Sequence, residues 1–290
     1  MASTQELRRK IKSVKGTQKL TQAMQLVSAA KMNRAMQRAT SSRTYSGLAW
    51  SIIQALLGRV GRDQHPLLLE RPIKTVGIIV ITTNGGLAGA LNAMLLRKVV
   101  ALVNERTTVG QTVKILSIGK KGTQFFGRAF PDNLMADYQL PDTIGSIAES
   151  EDVANTAING FLKAEFDEVI VAFNQFKSIL SQLPTIRTLL PVQPEDSTDE
   201  VTSSETIFEP SKARVLDVLL PRAVRTQLYQ MLLEANASEH AARMIAMKNA
   251  TENAGELVDD LTLTMNGVRQ AKITQEISEI SAGAEALRTR

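Results

Sequence analysis

Between Ser3 and about Leu57, apolar residues stand at Leu7, Ile11, Val14, Leu20, Met24 and Val27. The steps are three or four residues with one of six, which places these side chains on one face of a helix. The stretch has no proline, and Gly16 is its only glycine before Gly47, so nothing interrupts it. At 1.5 Å per residue, roughly 55 residues would reach about 80 Å, far beyond the usual helix of a globular domain, and such a rod needs a partner. The heptad positions after Val14 are Thr21, Ser28, Ala35 and Ser42, small or hydroxylated, so a tight self-standing zipper is not expected.

Glycine and proline in "GRVGRDQHPLLLERP" (Gly58 to Pro72) end this pattern. Short β-branched runs follow at Val76 to Thr83, Val113 to Ile118 and Glu168 to Phe173. Helical patterns at Leu87 to Asn104, Gln124 to Ala129 and Ile147 to Leu162 separate them, and this alternation predicts a parallel α/β sheet. "LPTIRTLLPV" (Leu183 to Val192) reads as an edge strand fenced by prolines, and the acidic, hydroxyl-rich Glu195 to Glu209 as an exposed loop. From Ser211 the helical pattern returns. Ser211 can cap it, Pro221 should kink or restart it, and Leu228, Leu232, Leu257, Leu261, Met265 and Val268 carry its apolar face. Ile273, Ile277, Ile280, Ala284 and Leu287 continue it with heptad-like steps.

Three segments result: an N-terminal coiled-coil helix over 1–58, an α/β domain over 59–210 and a C-terminal coiled-coil helix over 211–290. Both helices join the domain at one place and can pair antiparallel, which makes the domain an insertion at the foot of a hairpin. Counted from that foot, the terminal helix outruns the first by something like ten residues. Ile277, Ile280 and Leu287 are then left without a partner in the chain. Burying three such side chains is worth several kcal/mol at ~25 cal/mol per Å², which implies a surrounding protein or an oligomer.

Composition narrows the chemistry. There is no cysteine, so disulfides and thiolate sites are excluded, and the two histidines, His65 and His240, lie too far apart in sequence to suggest zinc. No apolar run reaches the ~18 residues that span a bilayer. The net charge of +5 is unevenly placed: basic residues dominate from Arg8 to Arg62, and Glu195 to Glu209 carries only acids. A basic start also describes a transit peptide, but the apolar periodicity runs far beyond the length of one. Arg8, Arg9, Lys10, Lys12, Lys15 and Lys19 could meet nucleic acid, solvent or an acidic partner, and no aromatics interleave to stack on bases. Asp259 and Asp260 are consecutive on a helix and diverge by about 100°, so they form no acid/base pair.

The turn "TTNGGLAGALN" (Thr82 to Asn92) sits where a phosphate binds in nucleotide enzymes. Its glycines, Gly85, Gly86 and Gly89, give G-G-x-x-G rather than the dinucleotide spacing. No Lys-Ser or Lys-Thr follows, as a phosphate-binding Walker loop requires. The favoured reading is a tight strand-to-helix turn in which Asn84 and Asn92 serve turn or cap roles.

Two terminal stretches carry a specific resemblance. "IKSVKGTQKLTQAMQLVSAAKM" (Ile11 to Met32) and "ASEHAARMIAMKNATENAGELVDDLTLTMNGVRQAKITQEISEISAGAEAL" (Ala237 to Leu287) resemble the gamma subunit of the F-type ATP synthase, and the likeness runs loosely through the middle. The resemblance implies an α/β fold: a long antiparallel coiled coil of N- and C-terminal helices with an inserted Rossmann-like α/β domain having a mainly parallel sheet. It implies a non-catalytic rotor shaft that couples proton flow to ATP synthesis or hydrolysis, with no catalytic, cofactor or metal residues of its own. Its partners would be the alpha and beta subunits of the hexamer, the epsilon subunit and the membrane c-ring, with no nucleic acid. By resemblance, Met24, Arg243, Arg269, Gln270, Thr274 and Glu276 contact the hexamer, and Ile277, Ile280 and Leu287 enter its apolar bearing. The small residues of the first helix would serve as shallow, weakly held contacts to changing neighbours. Peripheral attachment to the cytoplasmic face of a bacterial membrane is expected in preference to the mitochondrial inner membrane. Relatives often carry Asp-Arg-Gly-Leu-Cys-Gly where this chain has "NGGLAG", so a charged contact at that turn does not carry over. The rival readings are a nucleotide-dependent enzyme built on the glycine turn and a basic coiled-coil protein that binds nucleic acid.

Overall fold

Successive side chains of a strand face opposite ways, and the apolar residues of β1 (Thr75–Ile81) therefore feed two separate cores. Val76, Ile78 and Val80 pack with α2 (Leu91–Thr108), through Leu95, Val99 and Val103, and with Phe126 of α3 (Lys120–Ala129). Ile79 and Ile81 pack on the other face, with Val153, Ala157 and Phe161 of α4 (Glu151–Leu162) and Leu220, Val224 and Leu228 of α5 (Lys212–Arg288). A strand covered on both faces needs the continuous apolar run that marks β1 in the sequence. The structure is a computed structural model and describes residues 3–57, 65–139, 141–193 and 212–288, with side chains at 3–42, 65–139, 141–193 and 214–284. The acidic stretch Glu195 to Glu209, the proposed cap Ser211, the side chain of Leu287 and the expected boundaries near 58 and 210 lie outside what is described.

β2 (Thr112–Ile118), β3 (Leu134–Tyr138), β4 (Glu168–Phe176) and β5 (Gln182–Leu190) complete a sheet of order β3-β2-β1-β4-β5. The pairs are parallel except β4 with β5, so the sheet is mainly parallel as expected, with an antiparallel edge. β5 carries Pro184 on that edge, where a missing N–H is tolerated. Two expectations change. β3 was not anticipated, because its half-buried "LMADY" has too little apolar patterning to read as a strand. The first helix of the domain begins at Leu91 rather than Leu87, because Leu87 takes a left-handed φ of 61° and Gly89 one of 59° in the preceding turn.

The contact network forms two compact units, Ser28–Arg243 and Met1–Val27 with Met244–Arg290. In the second, α1 (Thr4–Leu57) and α5 run antiparallel: Thr21 Oγ1 lies 2.7 Å from Thr251 Oγ1, and a Cβ on Gly255 would lie 3.1 Å from Gln18 Nε2. The seam of α1 follows a heptad pattern, with Leu7, Thr21, Ser28, Met32, Ala35 and Ala39 buried and Ile11, Val14 and Gln18 partly so. Thr21, Ser28 and Ala35 therefore line the buried seam instead of facing outward, and short side chains there allow close approach of the paired backbone. Leu20 and Val27, expected on the apolar face, are 61% and 56% exposed, and Leu257 of α5 is 47% exposed. Six-residue spacing from Val14 to Leu20 was the clue, since it breaks the three-four rhythm that a seam needs.

Pro221 neither ends nor restarts α5, which is continuous across it. Leu216, Leu220, Ala223 and Val224 are buried on either side, and their packing offsets the hydrogen bond the proline cannot make. The ring of Phe166 lies against Gly77 and Gly160, and a Cβ on Gly160 would overlap it. Gly160→Ala should destabilise the full chain by about 1–3 kcal/mol through overpacking, read as a lower denaturant midpoint with unchanged slope.

Candidate functional site

In an open parallel sheet, ligands bind where strand connections diverge to opposite sides, beyond the carboxyl ends of the strands. Here that point lies between β1 and β4: β1 leads by way of α2 to β2, and the return by way of α4 places β4 on the other flank. The turn Thr82 to Asn92 and the end of β4 at Asn174 border the crevice, as do Gly119, Asp142 and Ile144. Its remaining wall is α5 itself, through Leu232, Ala235, Asn236 and Glu239. Every residue from Met231 to Ser238 is buried, so this part of α5 is enclosed on all sides.

Polar groups fasten the helix in place. Ser238 Oγ donates to the carbonyl of Asn174 at 2.9 Å, and Asn236 Nδ2 donates to the carbonyl of Asp142 at 2.9 Å. His240 Nε2 lies 3.2 Å from the same carbonyl, while Lys31 approaches the Asp142 carboxylate at 3.6 Å. Arg243 spans helix and turn: Nη2 pairs with Glu239 Oε1 at 2.6 Å, Nε donates to the carbonyl of Gly86 at 3.2 Å, and Nη1 lies 3.4 Å from His240 Nδ1. Both members of that ion pair are largely buried, at 14% and 13% side-chain exposure, so the pair is shielded from screening. Burial pushes the Glu239 carboxyl up, against the pull of Arg243. Burial also lowers His240 to about 4, outweighing its bond to the Asp142 carbonyl, so the ring is neutral near pH 7.

The asparagines of the turn do take turn and cap roles. Asn92 accepts from Thr83 N at 3.3 Å and donates to Thr83 Oγ1 at 2.8 Å, and Asn84 accepts from Lys120 N at 3.3 Å at the start of α3. Of the three glycines, only Gly89 has a left-handed backbone; a Cβ on Gly85 would meet Arg243 Nη2 at 3.3 Å, and one on Gly86 would meet nothing within 4 Å. The glycine that the local packing forbids replacing is Gly119, with φ of 92° and a Cβ position overlapping the Thr82 carbonyl.

A second surface lies along the terminal helices. With Thr21 opposite Thr251, the first residue of α1 falls opposite about residue 268, so α5 outruns α1 by about twenty residues rather than ten. From Arg269 to Ala284 every side chain is exposed, including Ile273 at 48%, Ile277 at 61% and Ile280 at 72%. Arg8, Lys12, Lys15 and Lys19 line an open groove with Thr262 and Met265 below this overhang.

Known proteins match over nearly the whole chain. A family model described as ATP synthase matches residues 3–287. An ATP synthase gamma chain of Roseiflexus castenholzii is 45% identical over 289 residues, covering 99% of each chain. That of Brevibacillus brevis is 42% identical over 283 residues, covering 97% of each. The chain belongs to the ATP synthase gamma-chain family. Its fold is also that of chains in the Euglena gracilis mitochondrial ATP synthase structure described as OSCP/F1/c-ring, with a TM-score of 0.69 at 19% identity over 98% of this chain and 94% of that one. A chain of the Tetrahymena thermophila central stalk and c-ring structure gives 0.64 at 24% identity, over 80% and 99%.

For a gamma-family chain, the residues singled out by resemblance fall into two environments. Arg269, Gln270, Thr274 and Glu276 are exposed together on the overhang, with Glu276 3.7 Å from Lys272. Met24 is half-buried on α1, and Arg243 is committed to Glu239 and Gly86. Sequence reasoning missed Asn174, Asn236, Ser238 and Glu239. The signal available was "EANASEH" (Glu234 to His240), a polar interruption within an otherwise apolar helical run.

Arg243→Ala should cost about 1.5–3 kcal/mol, because it strands the buried Glu239, and a smaller loss for Arg243→Ala in a Glu239→Gln background, measured by a double-mutant cycle, checks the pairing. The depressed His240 pKa means that the unfolded chain binds a proton that the folded chain refuses. Stability is therefore full above about pH 6.5 and falls toward pH 4, by up to about 3 kcal/mol. Protonation of Glu239 acts oppositely at the acid end of that window. His240→Gln should flatten the fall, as seen in urea midpoints measured across this range.

Proposed function

We propose that the chain is the central rotor shaft of an F-type ATP synthase, and that it couples proton flow through the membrane c-ring to ATP synthesis or hydrolysis in the alpha-beta hexamer. The overhang of α5 carries this reading. It presents sixteen consecutive exposed residues from Arg269 to Ala284 and an apolar row of Ile273, Ile277 and Ile280. An apolar row of this kind is costly in water and favourable inside an enclosing partner. Arg269, Gln270, Thr274 and Glu276 on the same overhang, with Met24 lower on α1, are the proposed polar contacts to beta and alpha. Ile277, Ile280 and Leu287 are the proposed bearing. Arg243 contributes through its hold on Gly86, which ties α5 to the platform domain.

In this role the α/β domain forms the foot, seated on the c-ring beside epsilon, and the chain is attached peripherally to the cytoplasmic face of a bacterial membrane. Catalysis lies in beta. The crevice that would take a nucleotide in a related fold is occupied by α5, which supports a mechanical role over the rival nucleotide-enzyme reading. Rotation is favoured by exposed, scattered contacts on α1 such as Leu20, Leu26 and Val27 rather than by deep pockets.

Deleting the residues after Ala271 removes the bearing while leaving the α1 pairing intact. The complex purified with this truncation should show ATP synthesis reduced at least tenfold at equal proton-motive force, with co-purification of alpha and beta weakened. Synthesis at the full rate would overturn the shaft reading.

A further inference from the structure

Between β3 and α4 the chain meets both long helices within the Ser28–Arg243 unit. Arg38 Nη1 of α1 donates to the carbonyl of Ile144 at 2.6 Å, and Lys31 Nζ stands 3.6 Å from the Asp142 carboxylate. From α5, Asn236 Nδ2 donates to the Asp142 carbonyl at 2.9 Å, and His240 Nε2 lies 3.2 Å from it. Arg243 Nη1 can only donate to His240 Nδ1, which leaves Nε2 as the donor to that carbonyl. The acceptors themselves are held firmly. Ile144 is 5% exposed in the core that α4 and α5 share, and the Glu149 carboxylate accepts from Gly145 N at 3.0 Å. Tyr138 Oη donates to Thr156 Oγ1 at 2.8 Å, so the end of β3 is tied to α4 as well.

In this unit the apolar face of α1 has little with which to resist a sliding load. From Ser28 to Ser42 its buried residues are Ser28, Met32, Ala35 and Ala39, of which only Met32 is large. Apolar contact is non-directional, so short side chains yield to sliding, whereas a hydrogen bond is lost once its atoms part by about 1 Å. The Lys31–Asp142 pair adds little, because the Asp142 side chain is 67% exposed and screened by solvent. Arg38 differs, since its guanidinium is fixed on a backbone carbonyl whose own residue is buried. We propose that residues 141–146 form a strap that carries load between the α/β domain and α1, with Arg38 as the positioning residue on α1 and with Asn236 and His240 fastening the same strap to α5. The proposal rests on the rotor reading, which requires the domain and the helices to turn together.

Hydrogen exchange on the full chain reads the grip itself. Arg38→Gln keeps the aliphatic stem and removes the charged donor, and amides of residues 31–39 should then exchange about tenfold faster, the worth of one net hydrogen bond, with β1 and β4 unchanged. Arg38→Lys, which can still donate to the Ile144 carbonyl, should recover most of the protection. Unchanged exchange at 31–39, or an equal acceleration that includes β1 and β4, would overturn the proposal. In the intact complex, Arg38→Gln should lower proton pumping per ATP hydrolysed by about twofold or more at unchanged subunit content, the scale on which substitutions along a coupling route act, and Arg38→Lys should restore it. Full pumping in Arg38→Gln, beside a truncation after Ala271 that does impair synthesis, removes the strap and leaves the rotor reading standing. Full synthesis in that truncation removes the rotor reading, and the load-bearing role of the strap with it.

Discussion

The packing of α5 into the carboxyl end of the sheet is the constraint on which the rest depends. From Met231 to Ser238 the helix is buried on every side, so this part of α5 belongs to the core of the α/β domain. A change in rotation of this part of α5 about its own axis would move Leu232, Ala235 and Asn236 out of the crevice together. Interiors packed at crystal-like density do not slide by small amounts, so the register of the helix against the sheet is fixed.

Polar groups do at this joint what apolar packing cannot. The apolar core on the α4 face would accept α5 in more than one register, because Leu, Val and Ala repeat along it. Ser238, Asn236, His240 and Arg243 each find one partner on the domain, and a shift of one turn would strand all four. Their cost in desolvation is offset by specificity of position. The Arg243–Glu239 pair illustrates the balance: both charges are expensive to bury, and their mutual bond together with Gly86 makes burial tolerable.

The coiled coil uses the opposite strategy. Thr21 and Thr251 meet across the seam where a zipper would place leucines, and Ser28 and Ala35 continue the pattern. Short side chains bring the helices close but bury little apolar area, so the pair depends on its length for stability. Larger apolar residues, among them Leu20, Val27 and Leu263, are displayed outward instead. The distribution is inverted relative to a self-sufficient coiled coil.

Periodicity made the two long helices, the α/β alternation and the exposed tail legible, because each of these is a local pattern repeated many times, and flanking prolines marked the edge strand. The helix-bearing termini also carried the family likeness. What periodicity could not decide was which side of an ambiguous helix faces inward: Leu20 looks more like a seam residue than Thr21 until α5 is in place. It could not detect β3, whose pairing with β2 supplies what its own residues lack. Nor could it show that the glycine turn faces a helix rather than a ligand, since Gly86 and Arg243 are 157 residues apart in sequence. Local composition determined the elements of this protein. Only tertiary packing, by deciding which distant surfaces compete for the same space, determined that the crevice of the sheet belongs to α5.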